Sequence, residues 1–317
     1  MKILLASPRG FCAGVVRAID IVDIALRRFP PPIYVRKEIV HNKVVVEDFK
    51  ARGVRFINSL DEAPEGSFVV FSAHGVSPKV REKAAIRRLK VIDATCPLVT
   101  KVHLEVHRFL KNGFSFLLIG HRDHDEVEGT LGEAPGKIQL VETVEDVEKV
   151  SVPDPERLMV LTQTTLSVDE TRDVMRAVKT KFPKAAIPPK DDICYATQNR
   201  QDAVKELARR GAEVFLVVGS KNSSNSQRLV DVVKSRGAHG HLIDRADEID
   251  PRWLADVKIL GVTAGASAPE HLVREVIDLL KTRYGGVLEE IFVRKENIHF
   301  SLPKELQETE FAPPSPI

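Results

Sequence analysis

The chain has 317 residues, of which 43% are hydrophobic and 29% charged, a composition typical of a globular protein with a large buried core. Its formal net charge is only +2 and its basic residues are scattered, which argues against nucleic acid or an anionic membrane as the main partner. The longest apolar runs, such as FSFLLIG and EVFLVVG, are too short to cross a bilayer.

The N-terminus and the cysteine count predict the cellular compartment. The opening MKILLASPRG loses its apolar character at Pro8 and Arg9, so we do not expect a secretory signal. Cys12, Cys96 and Cys194 are the three cysteines, and a small odd number argues against a disulfide scaffold. We therefore expect a cytoplasmic protein, with a disordered tail at the final FAPPSPI.

The first third of the chain changes from a strand-like segment to a helix at Cys12. Apolar residues between Val15 and Leu26 recur at helical spacing. Two strand patterns follow, in IYVRKEIVHN and FVVFSAHGVSP, and they break into polar loops at His41 and His74.

The second third repeats this arrangement from Cys96. Pro97 is favoured in a first helical turn, and a helix N-terminus stabilises a thiolate. Apolar residues between Val99 and Leu110 recur at helical spacing. The strand patterns in FSFLLIGHRDHDE and LMVLTQTTLS then lead to His124 and Thr164.

The last third begins at Cys194, with a weaker apolar stripe between Val204 and Ala208. Its strand patterns lie in VFLVVGSKNSSNS and KILGVTAGASAPE, and the polar loops contain Ser223 and Ser267. Apolar strands that alternate with helices indicate α/β units with parallel sheets.

The polar loops keep similar distances from the three cysteines. The first loop residue lies 29, 28 and 29 residues after its cysteine, and the second lies 62, 68 and 73 residues after it. Strand carboxyl ends are where α/β sheets bind ligands, and a repeated spacing indicates a repeated unit. The sequence predicts an α/β fold of three similar lobes with small parallel sheets, in a pseudo-threefold arrangement around one centre. The predicted boundaries are lobe 1 at 14–96, lobe 2 at 97–193, lobe 3 at 1–13 with 194–300, and a C-terminal tail at 301–317.

Three converging thiolates leave one position open on a metal or cluster that takes four ligands. A single cysteine is more simply a small buried hydrophobe, but the repeated placement favours a shared site. Zinc sites usually include a C-x₂₋₄-C pair, which this chain lacks, whereas iron–sulfur clusters tolerate wide spacing. The residues alone leave both possibilities open.

The histidine-rich segments are ambiguous. HLEVH places His103 and His107 on one helix face, but it is not H-E-x-x-H, and a solvated face is the favoured interpretation. In GHRDHDEVEG, His121 and His124 with Glu126 follow a buried-looking strand. A surface turn and an active-site loop are equally supported there.

SKNSSNS and TAGASAP place small hydroxyl and amide residues just before helices. Their simplest role is helix capping, although the same geometry binds phosphate. The sequence contains neither a Walker P-loop nor G-x-G-x-x-G. A small phosphorylated metabolite is therefore a better candidate ligand than a nucleotide.

Together these segments resemble the 4-hydroxy-3-methylbut-2-enyl diphosphate reductases, which catalyse the last step of the methylerythritol phosphate route to isoprenoids. The segments that carry the resemblance are GFCAGVVRAI, EIVHN, SAHGVSP, DATCPLVTKVH, GHRDHDEVEGT, TQTTLS, DDICYATQNRQ, VVGSKNSSNSQRL and VTAGASAPE. It extends from the first residues to about PKEL, near position 306. RDHDE departs from the family, which more commonly has a small residue and a proline there.

The resemblance implies a central, oxygen-sensitive 4Fe-4S cluster held by Cys12, Cys96 and Cys194, with one iron free to meet the substrate. It further implies that the substrate diphosphate is bound by the residues that match His41, His74, Ser223, Ser224, Asn225 and Ser267. Those matching Glu126, Thr164 and His124 would surround the substrate hydroxyl and its proton path, with Thr164 and His124 also binding the substrate.

The implied reaction is the reductive dehydroxylation of 4-hydroxy-3-methylbut-2-enyl diphosphate to isopentenyl and dimethylallyl diphosphate. Glu126 would supply protons, with a pKa raised by burial. Since the chain has no flavin or nicotinamide fingerprint, electrons are expected from a ferredoxin or flavodoxin. The default expectation is a monomer that binds neither nucleic acid nor membrane.

Two alternatives remain at this stage. One is another three-cysteine iron–sulfur enzyme, such as quinolinate synthase, that dehydrates its substrate without net reduction. The other is a binding module without catalysis, in which zinc binds the cysteines and the Ser/Asn loops only cap helices.

Overall fold

The computed structural model describes residues 1–188 and 192–307. Within these ranges the strands form three separate sheets of five, four and three strands, and every pairing between named strands is parallel. The predicted α/β fold with three small parallel sheets is therefore confirmed.

The four-stranded sheet comes from the first third of the chain. Its strands are β2 (Ile33–Arg36), β3 (Val54–Ile57), β4 (Phe68–Phe71) and β5 (Lys90–Asp93), in the order β3-β2-β4-β5. The helices of this third are α1 (Ala13–Arg28), α2 (Lys43–Ala51) and α3 (Pro78–Ile86). In this sheet Tyr34 pairs with Val69, and Val69 with Val91.

The three-stranded sheet comes from the second third. Its strands are β6 (Ser115–Ile119), β7 (Ile138–Val141) and β8 (Leu158–Thr162), in the order β7-β6-β8. The helices of this third are α4 (Pro97–Leu110), α5 (Asp125–Glu133), α6 (Val144–Lys149) and α7 (Val168–Lys181).

The five-stranded sheet combines the N-terminal strand with the last third. Its strands are β1 (Lys2–Ser7), β9 (Val214–Val218), β10 (His239–Ile243), β11 (Ile259–Ala264) and β12 (Val287–Phe292), in the order β10-β9-β11-β1-β12. The helices of the last third are α8 (Tyr195–Arg209), α9 (Ser224–Ser235) and α10 (Glu270–Tyr284), with a short α11 (Lys304–Gln307) near the end.

Several strands are buried along their whole length because helices cover the faces of each sheet. Every residue of β6, β8 and β9 is buried, as expected for parallel strands in an α/β layer. Each sheet has its own apolar core, so the space between the sheets is left for polar side chains.

The described part of the predicted tail is attached to the body of the protein. Leu306 is 2% exposed and packs in the same apolar cluster as Val35. Arg17 Nε donates to the carbonyl oxygen of Ser301 at 2.8 Å. The predicted disordered segment FAPPSPI lies outside the described residues. None of the described helices is long and apolar enough to cross a membrane.

Candidate active site between the three sheets

One cavity of about 100 Å³ lies where the three sheets meet, and the side chains predicted from the sequence line it together. They are Cys12, His41, His74, Cys96, His124, Glu126, Thr164, Cys194, Ser223, Ser224, Asn225 and Ser267. None of the predicted site residues lies elsewhere. Their proximity is a structural fact, whereas their individual roles remain predictions.

The cavity is built from strand carboxyl ends and helix N-termini. Each cysteine occupies the N-cap position of a helix: Cys12 on α1, Cys96 on α4 and Cys194 on α8. His124 caps α5 and Ser223 caps α9 in the same way. Several helix N-termini therefore surround one space, and their dipoles favour negative charge there.

The sulfur atoms of Cys12 and Cys96 lie close together beside Gly14. A Cβ atom built on Gly14 would lie 2.7 Å from Cys96 Sγ and 3.8 Å from Cys12 Sγ. Glycine is needed at this position because any side chain would displace the Cys96 sulfur. The first turn of α1 thus leaves room for the thiols.

Burial makes the thiols poor acids in the absence of a cation. It raises the pKa of Cys96 to about 12, and the neighbouring charge on Cys12 adds to this effect. It raises the pKa of Cys194 to about 11, again with Cys12 contributing. Since metals bind thiolates, a cation at this position would displace the thiol protons and replace the missing counter-charge.

The spacing of the ligands favours a cluster over a single ion on the cysteines. Among the described residues, one group has all its ligand atoms within 4.8 Å, namely His41, His74 and Asp125. The three sulfurs do not form such a group, although a zinc ion with 2.3 Å Zn–S bonds would hold its ligands that close. All three cysteines are free, and their wider arrangement fits a multi-iron cluster.

Two arginines connect the cysteine-bearing turns with residues 293–303, which we call the C-terminal strap. Arg200 is 1% exposed and donates through Nη2 to the carbonyl oxygen of Gly10 at 2.7 Å. Its Nη1 forms an ion pair with Glu296 of the strap at 3.0 Å. Arg17 donates to the carbonyl oxygen of Thr95, next to Cys96, at 3.1 Å.

His41, His74 and His124 form one side of the cavity, which we call the histidine wall. The rings of His41 and His74 stack at 4.0 Å, and the ring of His124 lies edge-on at 5.4 Å from His41 and 5.8 Å from His74. Burial lowers the pKa of His74 well below its ordinary value, and lowers that of His124 to about 3. His74 and His124 are therefore neutral at physiological pH. His124 Nδ1 accepts a hydrogen bond from the Glu126 backbone N–H, so its ring proton is on Nε2.

Glu126 and Thr164 form a second part of the lining, which we call the carboxylate wall. Glu126 Oε1 accepts from the Thr164 backbone N–H at 2.7 Å, and Oε2 accepts from the Thr164 hydroxyl at 2.8 Å. Burial raises the pKa of Glu126 to about 7, although both hydrogen bonds oppose this shift. The carboxyl group therefore exchanges its proton near neutral pH, as a general acid requires.

Small polar side chains close the third side. Ser223 Oγ lies 3.3 Å from Ser267 Oγ, and Ser267 donates to the carbonyl oxygen of His41 at 2.9 Å. Asn225 Oδ1 accepts from the Ala266 backbone N–H at 2.8 Å. Ser224 accepts from Thr165, a cavity residue that sequence reasoning did not select. These neutral donors are the kind of group that binds a phosphate at a helix N-terminus.

Sequence reasoning missed further cavity residues. Thr197, in the first turn after Cys194, lies 3.1 Å from its sulfur, and the cysteine position is a local signal for it. Phe300 of the C-terminal strap also lines the cavity, and no periodicity or motif indicated it.

The predictions for the two histidine-rich segments are only partly correct. The favoured solvated face of HLEVH is wrong for His103, which is 5% exposed, and both rings bind the buried Glu133. The turn of α4 that carries His103 faces α5, so the ring is enclosed. In GHRDHDEVEG, His124 and Glu126 line the cavity, while His121 lies outside it with its Nε2 3.4 Å from Glu170 Oε1.

A wider surface cleft runs along α7 and contains Arg172, Arg176 and Lys179. The described residues that line it include no cysteine or histidine. The cysteine and histidine side chains suited to catalysis therefore line the central cavity, although that cavity is the smaller of the two.

The sequence matches the LytB protein family over residues 3–281. It is 56% identical over 307 residues to the 4-hydroxy-3-methylbut-2-enyl diphosphate reductase of Azoarcus sp. (strain BH72), covering 97% of this chain and 98% of that protein. It is 55% identical over 312 residues to the enzyme of the same name from Vibrio cholerae, with the same two coverages.

Solved structures are similar over most of the chain. The E-1-hydroxy-2-methyl-but-2-enyl-4-diphosphate reductase from Plasmodium falciparum has a TM-score of 0.94 at 39% identity, covering 96% of each chain. A structure of (E)-4-hydroxy-3-methyl-but-2-enyl diphosphate reductase, described as the terminal enzyme of the non-mevalonate pathway, has a TM-score of 0.64 at 34% identity. It covers 89% of this chain and 99% of its own.

Proposed function

Because the chain belongs to the LytB protein family, we propose that it is an oxidoreductase that acts on 4-hydroxy-3-methylbut-2-enyl diphosphate. The products are isopentenyl and dimethylallyl diphosphate, and the hydroxyl group leaves as water. Each turnover consumes two electrons and two protons: one proton joins the leaving oxygen and the other forms a C–H bond. The observation that carries this proposal is the convergence of three free cysteines and a buried, proton-exchanging Glu126 on one cavity.

A 4Fe-4S cluster fits the three cysteines, with Cys12, Cys96 and Cys194 as its protein ligands. The fit is supported by their free thiols, by their N-cap positions and by a spacing wider than a single ion needs. When bound, such a cluster supplies electrons one at a time and an iron without a protein ligand that can act as a Lewis acid.

The histidine wall and the Ser/Asn side would bind the diphosphate, a role we assign to His41, His74, Ser223, Ser224, Asn225 and Ser267. His74, neutral at physiological pH, can still donate to phosphate oxygens through a ring N–H. The N-terminus of α9, capped by Ser223, adds backbone N–H groups that favour an anion. Binding energy from the diphosphate would hold the reacting end of the substrate in place.

The carboxylate wall would manage the protons. Glu126 donates a proton as the C–O bond breaks, and Thr164 fixes the orientation of the carboxyl group through two hydrogen bonds. His124, neutral and protonated on Nε2, can bind the substrate hydroxyl or a water molecule beside Glu126. Glu126 is 3% exposed, so bulk water does not compete for these contacts.

We further propose that a ferredoxin or flavodoxin supplies the electrons, and that the enzyme acts as a monomer in the cytoplasm.

We also propose that lobes at 14–96, 97–193 and 1–13 with 194–300 are its structural units. Contacts between the thirds of the chain support a site that the lobes share. Arg36 pairs with Glu128, and Ser267 donates to His41.

The proposal is tested with protein purified under strictly anaerobic conditions. The wild type should contain iron and acid-labile sulfide, and should form both isoprenoid diphosphates only when a reductant is present. Cys96→Ser should lose the iron–sulfur absorbance and the turnover. Leu104→Ser, which introduces the same residue at an exposed position of the same helix, should retain both.

Three results would contradict the proposal. Zinc without sulfide would favour a metal-stabilised binding module. Consumption of the substrate without reductant would favour a dehydratase. A Cys96→Ser variant with a full cluster and full turnover would exclude that cysteine as a ligand.

A further inference from the structure

A buried carboxylate joins two histidines on the side of α4 that faces α5. His103 Nδ1 lies 2.8 Å from Glu133 Oε1, and His107 Nε2 lies 2.7 Å from Glu133 Oε2. The side chain of His107 is 47% exposed, whereas those of Glu133 and His103 are 4% and 7% exposed. The three residues therefore form a continuous hydrogen-bonded chain from solvent into the protein.

This chain leads towards Glu126. Glu126 and Glu133 both belong to the buried stripe of α5, about two helical turns apart. A Cβ atom built on Gly75 would lie 3.1 Å from His103 Cε1, and Gly75 follows His74 of the histidine wall. His103 is also near enough to act electrostatically on Glu126: burial raises the pKa of Glu126, and a positive charge on His103 would oppose that rise.

The inner end of the chain is unsatisfied. Within the described residues, His103 Nε2 is buried and has no hydrogen-bond partner. Buried polar groups are nearly always paired, so an unpaired ring nitrogen needs an explanation. Transient donation to a group in the neighbouring cavity, directly or through one water molecule, would account for it.

Glu126 needs such a supply if the proposed function is correct. The reaction consumes two protons per turnover, but Glu126 is 3% exposed and Thr164 occupies both of its carboxylate oxygens. When the substrate fills the cavity, a path through the protein supplies protons to Glu126 without crossing the site.

We propose that His107, Glu133 and His103 form a proton relay that returns protons from solvent to Glu126. A proton enters at His107 and passes to Glu133. Glu133 gives a proton to His103 Nδ1, and His103 releases its Nε2 proton towards Glu126. One proton enters and one leaves, so charge and atoms balance. The transfer starts with a protonated Glu133 that donates to Nδ1 of the Nε2–H tautomer of His103, and it ends with the Nδ1–H tautomer donating to the Glu133 carboxylate. The ring must return to the Nε2–H tautomer before the next transfer.

Two variants interrupt the relay at different points. Glu133→Gln keeps the size of the side chain but cannot carry a proton, and His107→Ala removes the solvent-exposed entry. His239→Ala, at an exposed histidine on β10, is the matched control. Each variant is assayed as the iron-loaded enzyme with excess chemical reductant, so that electron supply does not limit the rate.

We expect kcat to fall about tenfold in both relay variants, while KM, iron content and the melting temperature stay at wild-type values. The solvent deuterium isotope effect on kcat should increase, since proton delivery becomes limiting. Added imidazole should restore kcat in His107→Ala, because a small proton carrier can replace the missing ring at the surface.

An unchanged kcat in both variants would overturn the relay. So would a loss that accompanies lower iron content or a lower melting temperature and that imidazole does not restore, since Glu133 would then only tie α4 to α5. If the wild type itself does not consume the substrate, the proposed function fails, and the relay fails with it. If the wild type is active and both variants keep its kcat, the relay alone fails.

Discussion

The histidine wall and the carboxylate wall line the same cavity, and burial has opposite chemical results on the two. On the histidine wall it lowers the pKa of His124 to about 3, so that the ring stays neutral. On the carboxylate wall it raises the pKa of Glu126 to about 7, so that a carboxylic acid persists near neutral pH. One physical cause, the penalty for burying a charge, thus produces a neutral hydrogen-bonding surface and an available proton.

Because burial shifts the pKa values of histidines and carboxyl groups in opposite directions, one cavity could bind an anion and still donate protons. A charged imidazolium beside Glu126 would lower the pKa of the carboxyl group and weaken it as a proton store. Neutral histidines avoid this effect, and helix N-termini supply the positive potential for the diphosphate. Breaking each wall separately should therefore affect different kinetic constants.

The largest effect is expected from the carboxylate wall. Glu126→Gln should lower kcat by about 10²- to 10⁴-fold, because the amide retains the hydrogen-bonding shape but cannot donate the proton. KM and iron content should be unchanged in steady-state assays with a chemical reductant. Glu275→Gln, the same substitution at an exposed position of α10, is the control. An unaffected kcat in Glu126→Gln would remove Glu126 as proton donor.

The histidine wall should give a smaller effect on a different constant. His41→Ala should raise KM by roughly 10- to 100-fold, because a hydrogen bond to a charged group is worth about 1.5–3 kcal/mol. Its kcat should be largely retained. His271→Ala, at an exposed position of α10, serves as the comparison. A loss of kcat at constant KM would mean that His41 acts on the chemical step and not on binding.

Thr164 allows the carboxylate wall to be tuned without removing it. Because Glu126 must be protonated to donate, kcat should fall as the pH rises through the pKa of about 7. Hydrogen bonds from Thr164 lower this pKa, so Thr164→Val should move the alkaline limb of the kcat profile to higher pH. Thr164→Ser, which keeps the hydroxyl, should leave the limb in place. If the alkaline limb does not move in Thr164→Val, the ionisation of Glu126 is not what produces that limb.

The two walls should also have opposite effects on how the free energy of unfolding changes with pH. Glu126 has a native pKa near 7 against an ordinary 4.5, so stability is lost as the pH rises between these values. His124 has a native pKa near 3 against 6.5, so stability is lost as the pH falls between them. Relative to the wild type, Glu126→Gln should gain about 3 kcal/mol at high pH, and His124→Gln about 5 kcal/mol at low pH.

Urea unfolding of the metal-free protein in reducing buffer, at a series of pH values, measures these gains. If the free energy of unfolding changed with pH in the same way for both variants, burial would not act on the two walls in opposite directions.

Much of the site could be predicted from local sequence signals. The cysteines precede helical stripes, and the polar loops follow apolar strands at similar distances from each cysteine. These patterns depend on helix caps and strand ends, which neighbouring residues determine. They were sufficient to predict three parallel sheets and the three cysteines with six loop residues that the structure brings to one cavity, whereas the assignment of Glu126, Ser224 and Asn225 to the site came from the family resemblance.

Other features depend on contacts between distant residues and have no local signature. The hydrogen bond from Arg200 to Gly10 joins residues 190 positions apart, and Phe300 reaches the cavity from a segment without periodicity. His103 could not be distinguished from a solvated histidine in HLEVH, because only the packing of α5 against α4 determines which turn of that helix is enclosed.

The sequence by itself determined which residue types stand at the strand ends and helix starts. The tertiary structure decided how deeply each is buried, and hence the protonation of His124 and Glu126, because the cost of burying a charge depends on everything packed around it.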